Sequence, residues 1–103
     1  MSTIRTIRFK DHKIRIVQIL DETFYVAHDI SSALAYHKAS DMTRIISGPD
    51  KSFARVNTSG GDQQMIVISA WGILAAASRR KTPQAKELCL WIIGHDLKIG
   101  ALP

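Results

Sequence analysis

Apolar and polar positions alternate through the opening of the chain. Residues 4–10 and 14–20 read as two strands joined by Asp11-His12-Lys13. In the first, Ile7 and Phe9 stand beside Arg8 and Lys10, so one face is apolar and the other basic. In the second, Val17 and Ile19 alternate with Ile16, Gln18 and Leu20, so both faces carry apolar residues. That pattern predicts a strand covered on both sides rather than an edge. Asp21-Glu22 turns the chain into a third strand, Thr23 to Val26, rich in aromatic and β-branched residues.

The period then changes. Ile30, Ala33 and Leu34 recur at helical spacing and predict a helix over 30–35, with Asp29 as its N-cap. Ser40 or Asp41 is placed to cap a second short helix that runs through Ile46 and ends at Gly48-Pro49. Phe53 to Thr58 and Gln64 to Ile68 flank Ser59-Gly60-Gly61-Asp62, which predicts a hairpin. Ser69 caps a helix over 70–77, whose small residues Ala75-Ala76-Ala77 admit a close neighbour. Thr82 and Pro83 have the N-cap and first-turn chemistry of a last helix, running to about Ile99 and stopping at Gly100. Strands first, then short helices, a hairpin and two helices predict an α+β fold. The expected architecture is a small antiparallel sheet of about five strands, including two hairpins, packed with three to four helices in a single domain over residues 1–103.

Charge sharpens the picture. The 103 residues carry a net charge of +5, unevenly placed. Arg5, Arg8, Lys10, Lys13 and Arg15 against Asp11 concentrate positive charge at the start. Arg79, Arg80, Lys81 and Lys86 do the same late in the chain, with no acid among them. Two basic segments on a slightly acidic body predict a directed positive face, for which a polyanion such as DNA is the natural partner. The candidate nucleic-acid contacts are Arg8, Lys10, Lys13, Arg15, Arg79, Arg80, Lys81 and Lys86. The Arg79-Arg80-Lys81 turn precedes a helix N-terminus, whose free amides could join the basic side chains on one phosphate. Helix 70–77 has almost no side chain able to read a base edge, so backbone contact is expected to dominate any binding.

Other chemistry finds little support. His12, His28, His37 and His95 are scattered, and Cys89 and His95 are not spaced as metal ligands on a helix. No metal or cofactor is expected. His28 beside Asp29 lacks a serine on a nucleophile elbow, and Ser59-Gly60-Gly61 lacks the lysine of a phosphate loop. No enzymatic activity is expected. One cysteine fits a reducing compartment, and no apolar run approaches a membrane span. The expected location is the cytoplasm.

The blocks Phe24–Tyr36 and Ile68–Trp91 carry a resemblance. Phe24, Val26, Asp29, Ile30, Ala33, Leu34 and Tyr36 come first, followed by Gly60 and Gly61. Ile68, Ser69, Gly72, Ile73, Leu74, Ser78, Pro83, Ala85, Lys86 and Trp91 then follow in order. Together they resemble the N-terminal domain of the BRO proteins, found in phage antirepressors and baculovirus repeated open reading frames. The resemblance implies phage or viral gene regulation, and with it the cytoplasm of a bacterial host as the place of action. It leaves two mechanisms open: DNA binding through this domain, or direct contact with a phage repressor protein. Ala70 stands where the family has an acid, and the basic, proline-containing end is reduced to Asp96-Leu97-Lys98-Ile99-Gly100, which weakens the DNA case for the last helix.

That last helix is apolar around much of its circumference. Ala85, Leu88, Cys89, Ile92 and Ile99 form one stripe, while Leu90, Ile93 and Leu97 lie on another face. Leu90, Ile93 and Leu97 are therefore the expected interface with a second copy or a repressor, and a homo-oligomer is the expected state.

Overall fold

The computed structural model describes residues 3–97, with the side chains of residues 3, 96 and 97 set aside. Its strands are β1 (Thr3–Phe9), β2 (His12–Ile19), β3 (Glu22–Val26), β4 (Lys51–Thr58) and β5 (Gly61–Ile68). Its helices are α1 (Ala27–Ala33), α2 (Ala39–Thr43), α3 (Ala70–Ser78) and α4 (Pro83–Ile92). All strand pairs are antiparallel, in the order β1-β2-β3-β5-β4. The fold is the α+β arrangement that the residue pattern predicts.

The sheet is two pieces joined by a narrow seam. β1, β2 and β3 form a meander, β4 and β5 a hairpin. Between them β3 and β5 pair only at Tyr25↔Ile68 and Val26↔Val67. Apolar burial holds the pieces together on both faces. On one face Phe9, Ile14, Ile16, Tyr25 and Ile68 meet residues from all four helices, among them Ile30, Met42, Ile73 and Leu88. On the other, Val17, Phe24, Val26, Val56 and Val67 form a smaller cluster with no helix in it. Val56 lies well along the hairpin from the seam, so the hairpin curls over β2 and β3 to bury both. Each such side chain contributes about 1.5–3 kcal/mol when fully buried. β2 is accordingly apolar on both faces, as its sequence predicts.

Several boundaries differ from the sequence pattern, each for a tertiary reason. The first turn is Lys10-Asp11, with Phe9 paired to His12. This register sends Phe9 into the core and requires a left-handed Lys10 (φ 53°). α1 begins directly out of β3 at Ala27, so Asp29 lies inside its first turn and is not the cap. α2 starts after Lys38, ahead of Ser40 and Asp41, and ends at Thr43. Gly48–Asp50 forms a single 3₁₀ turn. α4 does not continue as an α-helix: from Ile93 to Leu97 the winding widens to π. The expected extension to Ile99 lies outside the described residues.

The two remaining caps form as expected. Ser69 Oγ accepts from the Gly72 amide at 3.2 Å, and Thr82 Oγ1 from the Ala85 amide at 3.1 Å. Ser69 is held in turn by Asp50. Its hydroxyl donates to the Asp50 carboxylate at 3.0 Å, and its amide donates to the Asp50 carbonyl, also at 3.0 Å. Gly72 follows from this closeness: a Cβ there would stand 3.3 Å from the Asp50 carbonyl oxygen and 3.2 Å from Ile46.

Candidate nucleic-acid interface

Three connections meet at one end of the molecule: the β1–β2 turn, the loop from Leu34 to Lys38, and the α3–α4 turn over Arg79–Thr82. Gln84, in the first turn of α4, links them. Its side-chain amide lies 3.4 Å from His12 Nε2 at the hairpin end and also donates to the Ala33 carbonyl. Arg80 adds a second link. It donates from Nε to the Leu34 carbonyl at 3.1 Å and from an Nη to the Ala35 carbonyl at 2.8 Å. Its guanidinium lies 4.6 Å from the centre of the Tyr36 ring. The Tyr36 hydroxyl donates to the Ala76 carbonyl at 3.0 Å, which closes the loop onto α3. Burial pushes the Tyr36 phenol up from its ordinary value, and the charges of Arg80 and Arg79 only partly offset this.

The two basic segments, far apart in sequence, therefore share one end. The candidate cations divide by what they touch. Arg8, Lys13, Arg79, Lys81 and Lys86 are exposed and, among the described residues, make no ion pair. Lys10 pairs with Glu87 across the boundary between β1 and α4, with both side chains about half exposed. Arg80 is engaged by carbonyls and the tyrosine ring. Arg15 is engaged by Asp29: its backbone amide, Nε and Nη2 all donate to that carboxylate at 2.8–2.9 Å. These bonds raise the Arg15 guanidinium above its already high value. Arg15 and Arg80 are thus structural as well as basic. Exposed His37 and Lys38 lie at the same end. No periodic pattern marks them, because their loop is held by the end of α1 and by the side chains of Arg80 and Tyr36.

The turns that build this end are strained. Left-handed backbone outside glycine occurs, among the described residues, at Lys10, Leu20, Ala35 and Lys81. All but Leu20 sit in the three connections just described. Such positions cost of order 1 kcal/mol each and persist only where their surroundings hold them.

The expected cradle of free amides is reduced. Pro83 has no N–H, the Ala85 amide is taken by Thr82 Oγ1, and the Lys86 amide by the Thr82 carbonyl. Cationic side chains, rather than helix amides, are what this end offers. The outward face of α3 shows Trp71, Ala75 and Ser78, none of which can make the bidentate base contact of Arg, Asn or Gln, and the Ser78 hydroxyl donates to the Ala75 carbonyl.

Residues 13–98 match the model of the BRO family, N-terminal domain. The chain belongs to this family. No curated protein and no solved structure matches it. In this BRO domain most of the residues behind the resemblance have structural work: Ile30, Ala33, Leu34, Ile73 and Ala85 are core, Tyr36 ties a loop to α3, and Asp29 holds Arg15.

The partner surface expected on α4 is smaller than its wheel suggests. Leu90 is 70% exposed, beside Phe9 and Trp91. Ile93 instead packs against the core: its amide still bonds back to the Cys89 carbonyl in the α-helical pattern, which sets it next to core-packed Cys89 around the axis. The side chain of Leu97 lies outside the described residues. Trp91 is half-buried between Phe9, 5.4 Å away, and His95, which stacks on it at 5.1 Å. Among the described residues no group of three or more His, Cys, Asp or Glu is placed to hold a metal, and no helix is long and apolar enough to cross a membrane. Burial raises the Cys89 thiol above its ordinary value, away from thiolate reactivity.

Proposed function

We propose that this BRO domain is a DNA-binding regulatory module of phage type that works without catalysis and grips the sugar-phosphate backbone with its basic end. The convergence of the two basic segments through His12 and Gln84 carries this reading. Strained turns concentrated at the same end, and helices with little capacity to read bases, favour a surface shaped for phosphates rather than for sequence. Phosphate contacts of this kind position a protein on DNA, and removing them weakens binding to every sequence alike.

Replacing Arg79, Lys81 and Lys86 together by glutamine tests the reading. Each residue is exposed, so the fold should persist. Affinity for any duplex should fall, and the salt dependence should flatten by about 0.9 for each phosphate no longer neutralised. A triple variant that keeps its general affinity but loses preference for one sequence would sink it.

A second reading rests on Leu90. This large apolar residue stands exposed beside the Phe9–Trp91 pair, and a repressor protein could dock there without DNA. Leu90→Gln, which adds no charge beside Lys10, should then abolish capture of the repressor while leaving duplex binding intact.

A further inference from the structure

β4 is one of the two edges of the sheet, and its outer side is poorly defended. Edge strands commonly block pairing with charge, proline or a bulge. β4 has no proline, and it pairs with β5 without interruption from Lys51↔Ile68 to Thr58↔Gly61. Lysine is the usual guard, but the Lys51 ammonium is turned away and donates to the Thr43 carbonyl at 3.0 Å. Phe53 is 62% exposed on the same strand. Only Arg55 remains to repel a neighbour. The opposite edge differs: β1 carries Arg5 and Arg8, and α4 leans over its end through the Lys10–Glu87 pair.

From this we infer that β4 pairs antiparallel with β4 of a second copy, about a two-fold axis through Ala54, to make one continuous sheet across the dimer. The charges on the strand and the length of strand paired together select this register. In an antiparallel pair, residues directly opposite share a face and lie about 4.5–5.5 Å apart at Cβ, and like charges there destabilise. Centring the axis on Phe53 sets Lys51 against the partner's Arg55. Centring it on Arg55 sets arginine against arginine. Centring it on Ser52 pairs little more than Lys51 to Phe53, and centring it on Val56 pairs only Ala54 to Thr58 of the strand and leaves Phe53 outside. Centring it on Ala54 pairs the strands from Lys51 to Asn57 with no like charges opposed. It also places Phe53 against the partner's Arg55 twice, a ring facing a guanidinium each time. The contact covers the exposed ring and satisfies the free backbone groups of the edge together. It lies on the edge opposite β1, so both basic ends stay open to DNA.

Light scattering at high micromolar concentration should show a dimer for the wild-type chain. Phe53→Lys and Phe53→Glu then separate the register from mere stickiness, since both remove the ring and differ only in sign. The lysine variant, facing the partner's Arg55, should run as a monomer. The glutamate variant should remain dimeric. With Cys89→Ser in the background, Ala54→Cys should cross-link to its own copy under mild oxidation, because residues at the axis face each other within disulfide reach. A monomeric wild type, a monomer in both Phe53 variants, survival of the dimer in Phe53→Lys, or failure of the Ala54→Cys variant to cross-link would each overturn the inference. Loss of DNA binding in the basic-end variant, by contrast, leaves it untouched.

Discussion

Arg15 and Asp29 lie fourteen positions apart and meet in a two-pronged ion pair, with Nε and Nη2 each 2.8 Å from a carboxylate oxygen. The Arg15 amide supplies a third bond, so Asp29 fixes both the backbone and the side chain of β2 while seated in the first turn of α1. The Asp29 side chain is only 10% exposed and that of Arg15 25%.

Asp29→Ala should therefore destabilise the domain by about 2–4 kcal/mol, nearer the cost of orphaning a half-buried charge than that of removing a surface pair. Chemical denaturation measures it. The double variant Arg15→Met with Asp29→Leu should recover much of the stability, since an apolar pair leaves no charge unmatched. A stable Asp29→Ala protein that no longer binds its target would instead place Asp29 in a functional site.

Glu87 is the one acid of α4, and it pairs with Lys10 at the basic end. Both groups are half exposed, so the pair adds little stability, at most about 1 kcal/mol. Glu87→Gln should leave the melting temperature nearly unchanged while tightening duplex binding and steepening its salt dependence, because Lys10 is released for a phosphate. Unchanged affinity in a salt titration would remove Lys10 from the contact surface.

Gly72→Ala tests how closely α3 approaches the Asp50 turn. Alanine normally improves a helix interior by about 1 kcal/mol over glycine. Here its Cβ would press on the Asp50 carbonyl oxygen and Ile46, at 3.3 and 3.2 Å. That carbonyl is already held by the Ser69 amide and cannot retreat freely. Overpacking of this kind costs about 1–3 kcal/mol, so the unfolding free energy should fall on balance.

Alkaline pH should weaken the fold. Burial raises both Tyr36 and Cys89, so each binds its proton more tightly folded than unfolded. Their contribution is complete below the unfolded values, about 8.5 for cysteine and 10 for tyrosine, and is lost as pH rises through the folded ones. Melting temperatures should fall above about pH 9. Cys89→Ser and Tyr36→Phe together should flatten that decline, although Tyr36→Phe also forfeits the bond to the Ala76 carbonyl and lowers stability at all pH values.

Where the residues act locally, the chain is legible from its sequence. The Gly60-Gly61 hairpin, the Ser69 and Thr82 caps, the doubly apolar β2 and the core stripe of α4 depend on near neighbours and periodicity. The Asp29 cap fails because α1 starts two residues before it, straight out of β3, and Arg15 of β2 takes the carboxylate; nothing in the spacing of Arg15 announces it. Ile93 misleads because the core covers more of the circumference of α4 than its main stripe, reaching past Cys89 to the next position around the axis. Both basic segments are visible as composition. That they share one end is not, because the contacts that join them run through His12, Gln84 and Arg80, three residues with no pattern among themselves.

The narrow seam between β3 and β5 has a last consequence. With two residue pairs joining the halves, each half completes most of its backbone bonding alone. The basic end draws its strands from the meander, and the free edge of β4 belongs to the hairpin. Substitutions that retune one surface have few backbone bonds through which to disturb the other. A lineage could change what the hairpin pairs with and keep its grip on a polyanion, or the reverse, so long as the valines between the two halves stay in place.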